Sequence, residues 1–280
     1  MSSSATLYIV PTPIGNLQDI TQRALDTLRN VDWIAAEDTR HTHKLLQHFS
    51  INGRTLSLHE HNEDKRAAML CQRLIDGESV ALVSDAGTPL ISDPGFVLVR
   101  KCREEGVKII ALPGPCAAVT ALSASGLPTD KFVFEGFLPV KMLAREQVLE
   151  TLQTRTITSV FYEAPRRVVD TVEAVAKVLG EDRQLVLAKE ISKTFETYVS
   201  GNPQTILEYL HRDPAHQKGE FVLMIAGCAS TTTEVPPEAL QLLTILQTEL
   251  PLKKAAAIVA QHYGLKKNRL YQIGLELNDH

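Results

Sequence analysis

Directly after the apolar run Ser79-Val80-Ala81-Leu82-Val83 comes SDAGTPLISDPG, residues 84–95. Reversing a chain takes one glycine or one proline; this stretch has two of each and two aspartates. Prolines fix φ and glycines let another molecule approach the main chain, so the composition suits a ligand held by the backbone of a rigid loop. A tight structural turn is the simpler alternative. Four more loops carry comparable residues: PTPIGN (11–16), EDTR (37–40), HEHNEDKR (59–66) and LPGPCAA (112–118). Together, Pro/Gly loops and loops crowded with charge or imidazole favour a ligand site over five separate coincidences. Neither G-x-G-x-x-G nor G-x-x-x-x-G-K-[ST] occurs, so the ligand is not expected to be held by its phosphates. His59 and His61 flank Glu60 as metal ligands could, but no third or fourth ligand stands at zinc-like spacing and no metal is expected.

These loops have to be presented by regular elements. Strand-like runs at 7–10, 33–36, 55–58, 79–83 and 107–112 alternate with helical spacing over 21–30, 41–49, 64–76 and 95–105. Strand-helix-strand repeated four times predicts parallel pairing with right-handed crossovers, hence an open α/β sheet. Such sheets hold ligands beyond the carboxyl ends of their strands, where the five loops fall. After residue 125 the pattern changes. Strands are predicted at 132–137, 157–162, 184–188, 195–199 and 221–226, with helices at 142–154, 166–179 and 204–210. Two of those strands follow each other without a helix between, which predicts an antiparallel or mixed α/β sheet. STTTEVPP, 230–237, reads as a linker before a small helical unit. The expected domains are 1–125, 126–229 and 230–280.

The chain has 280 residues, 44% of them hydrophobic, enough for two cores of ordinary size. A net charge of -4 argues against a protein that coats polyanions generally, while leaving room for local basic patches. Cys71, Cys102, Cys116 and Cys228 include no C-x-x-C pair, which disfavours a zinc cluster or a disulfide framework and predicts a reduced, cytoplasmic protein. No signal-peptide pattern opens the sequence and no run of 18 apolar residues occurs, so neither secretion nor a membrane span is expected.

Four motifs in this order carry a resemblance: LYIVPTPIGNL (7–17), AEDTR (36–40), SDAGTPLISDPG (84–95) and LPGP (112–115). Over residues 5 to 228 the chain resembles the tetrapyrrole-methylase superfamily of S-adenosylmethionine-dependent methyltransferases. More closely, it is similar to the branch that 2'-O-methylates a cytidine of 16S ribosomal RNA. Where tetrapyrrole-acting relatives carry Gly-Asp-Pro, this chain has Gly87-Thr88-Pro89. The resemblance implies two α/β domains with S-adenosylmethionine in the cleft between them, and a homodimer acting on the small ribosomal subunit. By position it assigns to the cofactor Pro13, Asp85, Ala86, Gly87, Thr88 and Ile91. Cys116 and Ala117 join them from the start of a helix after the Pro-Gly turn, as do Tyr162, Glu163 and Ile191 from the second domain.

A ribose hydroxyl is a weak nucleophile, so a general base or a cation that stabilises the alkoxide is useful. Glu37, Asp38, His59, His61, Glu163, Lys189 and Glu190 are the charged groups expected at the cleft. The favoured pair is Lys189-Glu190, with Asp38 and Glu37 behind it; a structural salt bridge is the alternative for the pair. Arg40, Lys44, Lys65, Arg66, Arg166 and Arg167 are basic residues near the predicted cleft. Pro165 suits a first helical turn, which would set Arg166 and Arg167 at a helix start where anions are favoured. PLKKAAAIVAQHYGLKKNRL, 251–270, has five basic residues and no acidic one. Gly264 falls at the turn of a helix-turn-helix spacing, and a plain packing unit is the alternative. If this unit meets RNA, Lys266, Lys267 and Arg269 are the expected phosphate contacts beside Arg40, Arg66, Arg166 and Arg167. Two other functions fit parts of the pattern: a small-molecule methylase of the tetrapyrrole type, and a nonenzymatic RNA-binding assembly protein.

Overall fold

The structure is a computed structural model that describes residues 5–228 and 235–278. The chain divides into two compact units, Met1–Gly227 and Cys228–His280.

The first unit holds two sheets. β1 (Thr6–Ile9), β2 (Trp33–Ala36), β3 (Thr55–Ser57), β4 (Val80–Val83) and β5 (Lys108–Ala111) form a wholly parallel sheet in the order β3-β2-β4-β1-β5. Alternate side chains point to opposite faces, and both faces are apolar. Leu7, Ile9, Val80 and Leu82 meet α3 (Glu63–Ile75) and α4 (Phe96–Glu104) through Leu70, Leu74 and Leu98. Val10, Ile34, Ala81 and Val83 meet α1 (Gln22–Asn30) and α2 (Thr39–His48) through Leu25, Leu28 and Leu46. That three-layer arrangement is the predicted one, each element lying within about two residues of its expected bounds.

β6 (Phe132–Phe137), β7 (Thr158–Glu163), β8 (Leu185–Lys189), β9 (Thr197–Gly201) and β10 (Phe221–Ile225) form a mixed sheet, β6-β7-β10-β8-β9, in which only β6 and β7 run parallel. On one face lie α6 (Met142–Glu150), α7 (Val168–Leu179) and α8 (Pro203–Arg212), packed through Leu149, Val172, Val175, Ile206 and Leu210. On the other lies α5 (Ala117–Ser123), whose Ala118, Ala121 and Leu122 pack on Val160, Val222 and Met224. Ile14, from the loop after β1, joins this same cluster and so ties the two sheets together.

Three expectations differ from the structure, the first being that α6 ends at Glu150, four residues short of the predicted 142–154, where the chain goes over into a turn. β9 begins two residues later than predicted, because Phe195 lies in the preceding turn and is exposed. α7 begins at Val168 with Arg167 as its N-cap, so Pro165 and Arg166 precede the helix rather than occupy its first turn.

The described residues of the second unit form three helices: α9 (Pro237–Gln247), α10 (Leu252–Tyr263) and α11 (Lys267–Asn278). Ala239, Leu243, Ala255, Ala256, Val259 and Leu270 make its core. Gly264 closes α10 in the left-handed region at φ 67, as the helix-turn-helix spacing predicts. The predicted linker at 230–237 lies, up to residue 234, outside the described residues.

Candidate functional site

The loops after β1, β4 and β5 are zipped into one surface. Thr12 and Gly87 exchange both backbone hydrogen bonds, at 2.9 and 3.0 Å, and the Thr12 hydroxyl donates to the Ser84 carbonyl at 3.2 Å. The Thr88 hydroxyl donates to the Pro115 carbonyl at 2.8 Å, adding the third loop. At the far end Glu63 of α3 accepts from the Gly95 and Val97 N–H groups at 2.9 and 2.8 Å. Gly87 sits at φ 78, and a Cβ there would lie 3.3 Å from Ile14 Cγ2, so the residue combines a left-handed backbone with close approach. Leu90 and Ser92 also have positive φ, 72 and 69, a strain of roughly 1 kcal/mol or more each that the surrounding bonds hold in place.

The second sheet supplies the opposite wall. Glu190 and Ser192 repeat the pattern of left-handed residues around an isoleucine, at φ 52 and 69. Ser192 accepts from the Asn16 N–H at 3.1 Å and bonds to Asp19, which fastens this loop to the one after β1. Ile91 and Ile191, each between two left-handed residues, both line a cavity of about 410 Å³. Ile14, Glu37, Asp85, Ala86, Gly87, Thr88, Asp93, Ala117, Phe137, Tyr162 and Glu163 also line it, with Ala164, Pro165 and the start of β10. Tyr162 meets Phe134 and Phe137 edge to face, and its hydroxyl oxygen accepts from the Ala118 N–H at 3.2 Å. Burial, then the nearby Cys116, pushes the Tyr162 phenol above its usual range.

Five carboxylates line this space, three of them, Glu37, Asp85 and Asp93, from the loops of the parallel sheet. Burial raises the Asp93 carboxyl to about 6, hydrogen bonding from Ser84 works against that rise, and the Asp85 charge adds to it. Glu37 is raised as well, by burial and then by the charges of Asp93 and Asp85. Asp85 accepts from the Asp38 N–H at 3.1 Å, which joins the loop after β2 to the site.

The residues expected to bind a cofactor are brought together. Asp85, Ala86, Gly87, Thr88, Ile91, Ala117, Tyr162, Glu163 and Ile191 all line the cavity; Pro13 lines the groove beside it, and Cys116 caps α5 next to Tyr162. Glu163 is buried and fully engaged: its carboxylate accepts from the Thr171 hydroxyl at 2.6 Å and the Ala164 N–H at 2.7 Å, and Arg167 Nε stands 3.1 Å away. That makes it an organiser of the 163–165 turn rather than a free base.

The residues expected to do acid-base work are dispersed. Lys189 is buried at the end of β8, and it forms no ion pair among the described residues. Glu190 pairs instead with Lys193, at 2.8 Å, and accepts from the Glu220 N–H at 2.9 Å. Burial works to raise Glu190, but these partners outweigh it and hold the carboxyl below its usual range. Neither residue lines the cavity. Asp38 caps α2 through the Arg40 N–H at 2.8 Å and pairs with the Arg40 guanidinium at 2.7 Å, which lowers its carboxyl strongly. Glu37 alone of the four lines the cavity.

The expected RNA contacts divide similarly. Arg166 is exposed, Arg66 half-buried, and neither is in an ion pair among the described residues. Arg40 is exposed but paired with Asp38. Arg167 is turned inward, donating to the Leu138 carbonyl and pairing with Glu163, which leaves little of it for an incoming phosphate. Lys266, Lys267 and Arg269 are exposed on the second unit. Among the described residues no cluster of His, Cys, Asp and Glu could hold a metal. Asp93, Phe137 and the β10 residues escaped sequence reasoning. The one signal for Asp93 was an Asp-Pro-Gly in a loop already singled out.

This fold, a parallel sheet and a mixed sheet around a loop-lined cavity, defines a class. Residues 6–207 match the model of the tetrapyrrole (corrin/porphyrin) methylases, and residues 233–278 match that of the RsmI C-terminal HTH domain. Two solved structures of similar fold are a cobalamin-biosynthetic cobalt precorrin-4 methyltransferase and a diphthine synthase. The first has a TM-score of 0.58 at 16% identity, over 81% of this chain and 96% of that one. The second has 0.60 at 14% identity, over 79% and 90%. Among curated relatives, the ribosomal RNA small subunit methyltransferase I of Escherichia coli O157:H7 is 53% identical over 98% of this chain and 96% of its own. That of Vibrio cholerae is 56% identical over 96% and 94%. The chain belongs to the ribosomal RNA small subunit methyltransferase I family of the tetrapyrrole methylases.

Proposed function

We propose that the protein is an S-adenosylmethionine-dependent methyltransferase that 2'-O-methylates a cytidine of 16S ribosomal RNA within the small ribosomal subunit, as a cytoplasmic homodimer. One observation carries the reading: similarity to relatives named for small-subunit ribosomal RNA runs through 98% of the chain, including the C-terminal unit. Among the described residues no helix is long and apolar enough to cross a membrane. Val140, just before α6, and Met142 and Leu143 in its first turn, all exposed, support a self-association surface.

The cavity fits the donor by chemistry. S-adenosylmethionine is a cation with apolar and hydrogen-bonding parts, and the cavity sets Glu37, Asp85 and Asp93 among Ile14, Ile91, Ile191 and Val222. Gly87 leaves its backbone open where a side chain would crowd Ile14. Ala86, Gly87, Thr88, Ala117 and Tyr162 are the residues that would hold it, with Pro13 and Cys116 behind them. Bound there, it supplies an electrophilic methyl group.

The chain's own part is to preorganise, to exclude water and to take a proton. The loops are already fixed by the Thr12–Gly87 and Thr88–Pro115 bonds, so little ordering remains for the moment of binding. Of the charged groups, Glu37 combines position in the cavity with a raised proton affinity, as acceptance of a hydroxyl proton near neutrality requires, and Asp93 is the counter-charge for the donor. Lys189, Glu190 and Asp38 are better suited to holding the loops. The test is transfer of label from S-adenosylmethionine into small subunits that lack the methyl group, beside naked 16S RNA and a porphyrin precursor. Label in the porphyrin alone would sink the reading in favour of a small-molecule methylase.

A further inference from the structure

A second groove, of about 450 Å³, adjoins the cavity and shares Ile14, Asp85, Ala86 and Glu220 with it. One face of α2 lines it: His41, Lys44, Leu45 and His48 stand at i, i+3, i+4 and i+7, which brings them to the same side of the helix. α2 reads TRHTHKLLQH, with five Arg, His or Lys residues and no acidic one. His41, Lys44 and His48 are all exposed, and among the described residues Lys44 has no ion pair. Its neighbours are different: Arg40 is held by Asp38, and Lys193, across the groove, is held by Glu190 and Glu220. The acidic groups of the groove, Asp85 and Glu220, are the ones it shares with the cavity. The groove is therefore basic along α2 and acidic where it opens into the cavity.

That polarity matches a polyanion lying along the helix with an uncharged sugar turned inward. Seven residues of helix span roughly 10 Å, room for at least two successive phosphates of a nucleic-acid strand. We propose that this groove carries the RNA strand next to the reacting nucleotide, with Lys44 as its principal phosphate contact and His41 and His48 on either side. The inference rests on the ribosomal RNA reading above and adds to it where the strand runs.

The experiment compares the unsubstituted protein with Lys44→Glu, the His41→Ala/Lys44→Ala/His48→Ala variant, and Arg103→Glu, an equal charge change on α4 outside both cavities. Each is assayed for S-adenosylmethionine binding by calorimetry, for binding to small subunits lacking the methyl group across a salt series, and for single-turnover transfer. Lys44→Glu is expected to bind the donor normally and the subunit at least about tenfold more weakly. Its salt slope should flatten by about 0.7 to 0.9 per lost phosphate contact. Transfer at saturating subunit should be kept. Arg103→Glu should match the unsubstituted protein. Equal subunit affinity and salt slope in Lys44→Glu and Arg103→Glu would overturn the assignment; so would loss of donor binding in Lys44→Glu, which would make the groove part of the donor site. If the unsubstituted protein labels no RNA, the functional reading fails first and takes the groove's assignment with it.

Discussion

Asp93 should make donor binding depend on pH. In the ligand-free protein burial and the neighbouring Asp85 hold its carboxyl at about 6, against an ordinary 3.8. Glu37, Asp85 and Tyr162 are the other titratable groups around it. A cationic ligand favours the ionised form, so binding should return Asp93 towards its ordinary value and release a proton. With those two values, affinity at about pH 5 should be roughly tenfold weaker than at pH 7, where Asp93 is already ionised. Glu37, raised in the same direction, makes that a lower bound. Calorimetry in buffers of different ionisation enthalpy measures both quantities: about one proton should be released near pH 5 and almost none at pH 7. Asp93→Asn should flatten the profile. The same shift makes a stability statement: a carboxyl whose folded value is raised is penalised progressively as pH climbs above its ordinary value, and in full once pH exceeds the folded one. Asp93→Asn should therefore stabilise the ligand-free protein at neutral pH by up to roughly 3 kcal/mol, and not at all below about pH 4. Affinity that stays constant between about pH 5 and pH 7 would refute the placement of the donor's charge beside Asp93.

Three further outcomes are expected. Gly87→Val should fold but lose donor binding by calorimetry, since a branched side chain at φ 78 has Ile14 3.3 Å from its first carbon; unchanged affinity would make the loop merely structural. Glu190→Gln should lower the melting temperature, an effect that fades as pH falls through the lowered folded value, while single-turnover transfer changes by less than about tenfold; a loss of about a hundredfold or more would return Glu190 to the chemistry. Replacing Lys266, Lys267 and Arg269 by alanine should weaken subunit binding and flatten its salt dependence by about one unit of slope per lost contact, with saturating turnover kept; an unchanged slope would leave the second unit a packing module.

The parallel sheet was legible because its central strands β1, β2 and β4 are buried apolar runs and helical spacing separates all five strands, and neither feature depends on distant residues. The cofactor loops were legible for a related reason: Gly87 and Pro89 declare their backbone conformation in their chemistry. Glu190 declares nothing of the kind. Its left-handed backbone directs a carboxylate that looks paired with Lys189 towards Lys193 and Glu220 instead. Asp93 was quoted within its loop, but its raised carboxyl comes from burial by segments brought in from elsewhere, which a local reading does not contain. Phe137 and Val222 reach the cavity through their register with Tyr162, set by pairing across the sheet. For Arg167 the signal was present, since Glu163 stands four residues earlier, the spacing of the ion pair they form.

The central claim is tested most directly by locating the methyl group. Small subunits lacking it are incubated with the protein and tritiated S-adenosylmethionine, and the 16S RNA is then hydrolysed in alkali. A methyl on a ribose 2'-oxygen blocks cleavage of the adjoining phosphodiester, so the account predicts one label per subunit, recovered in an alkali-resistant dinucleotide that begins with cytidine. Label released as a methylated base or an ordinary mononucleotide, or incorporated only into a porphyrin precursor, would contradict it.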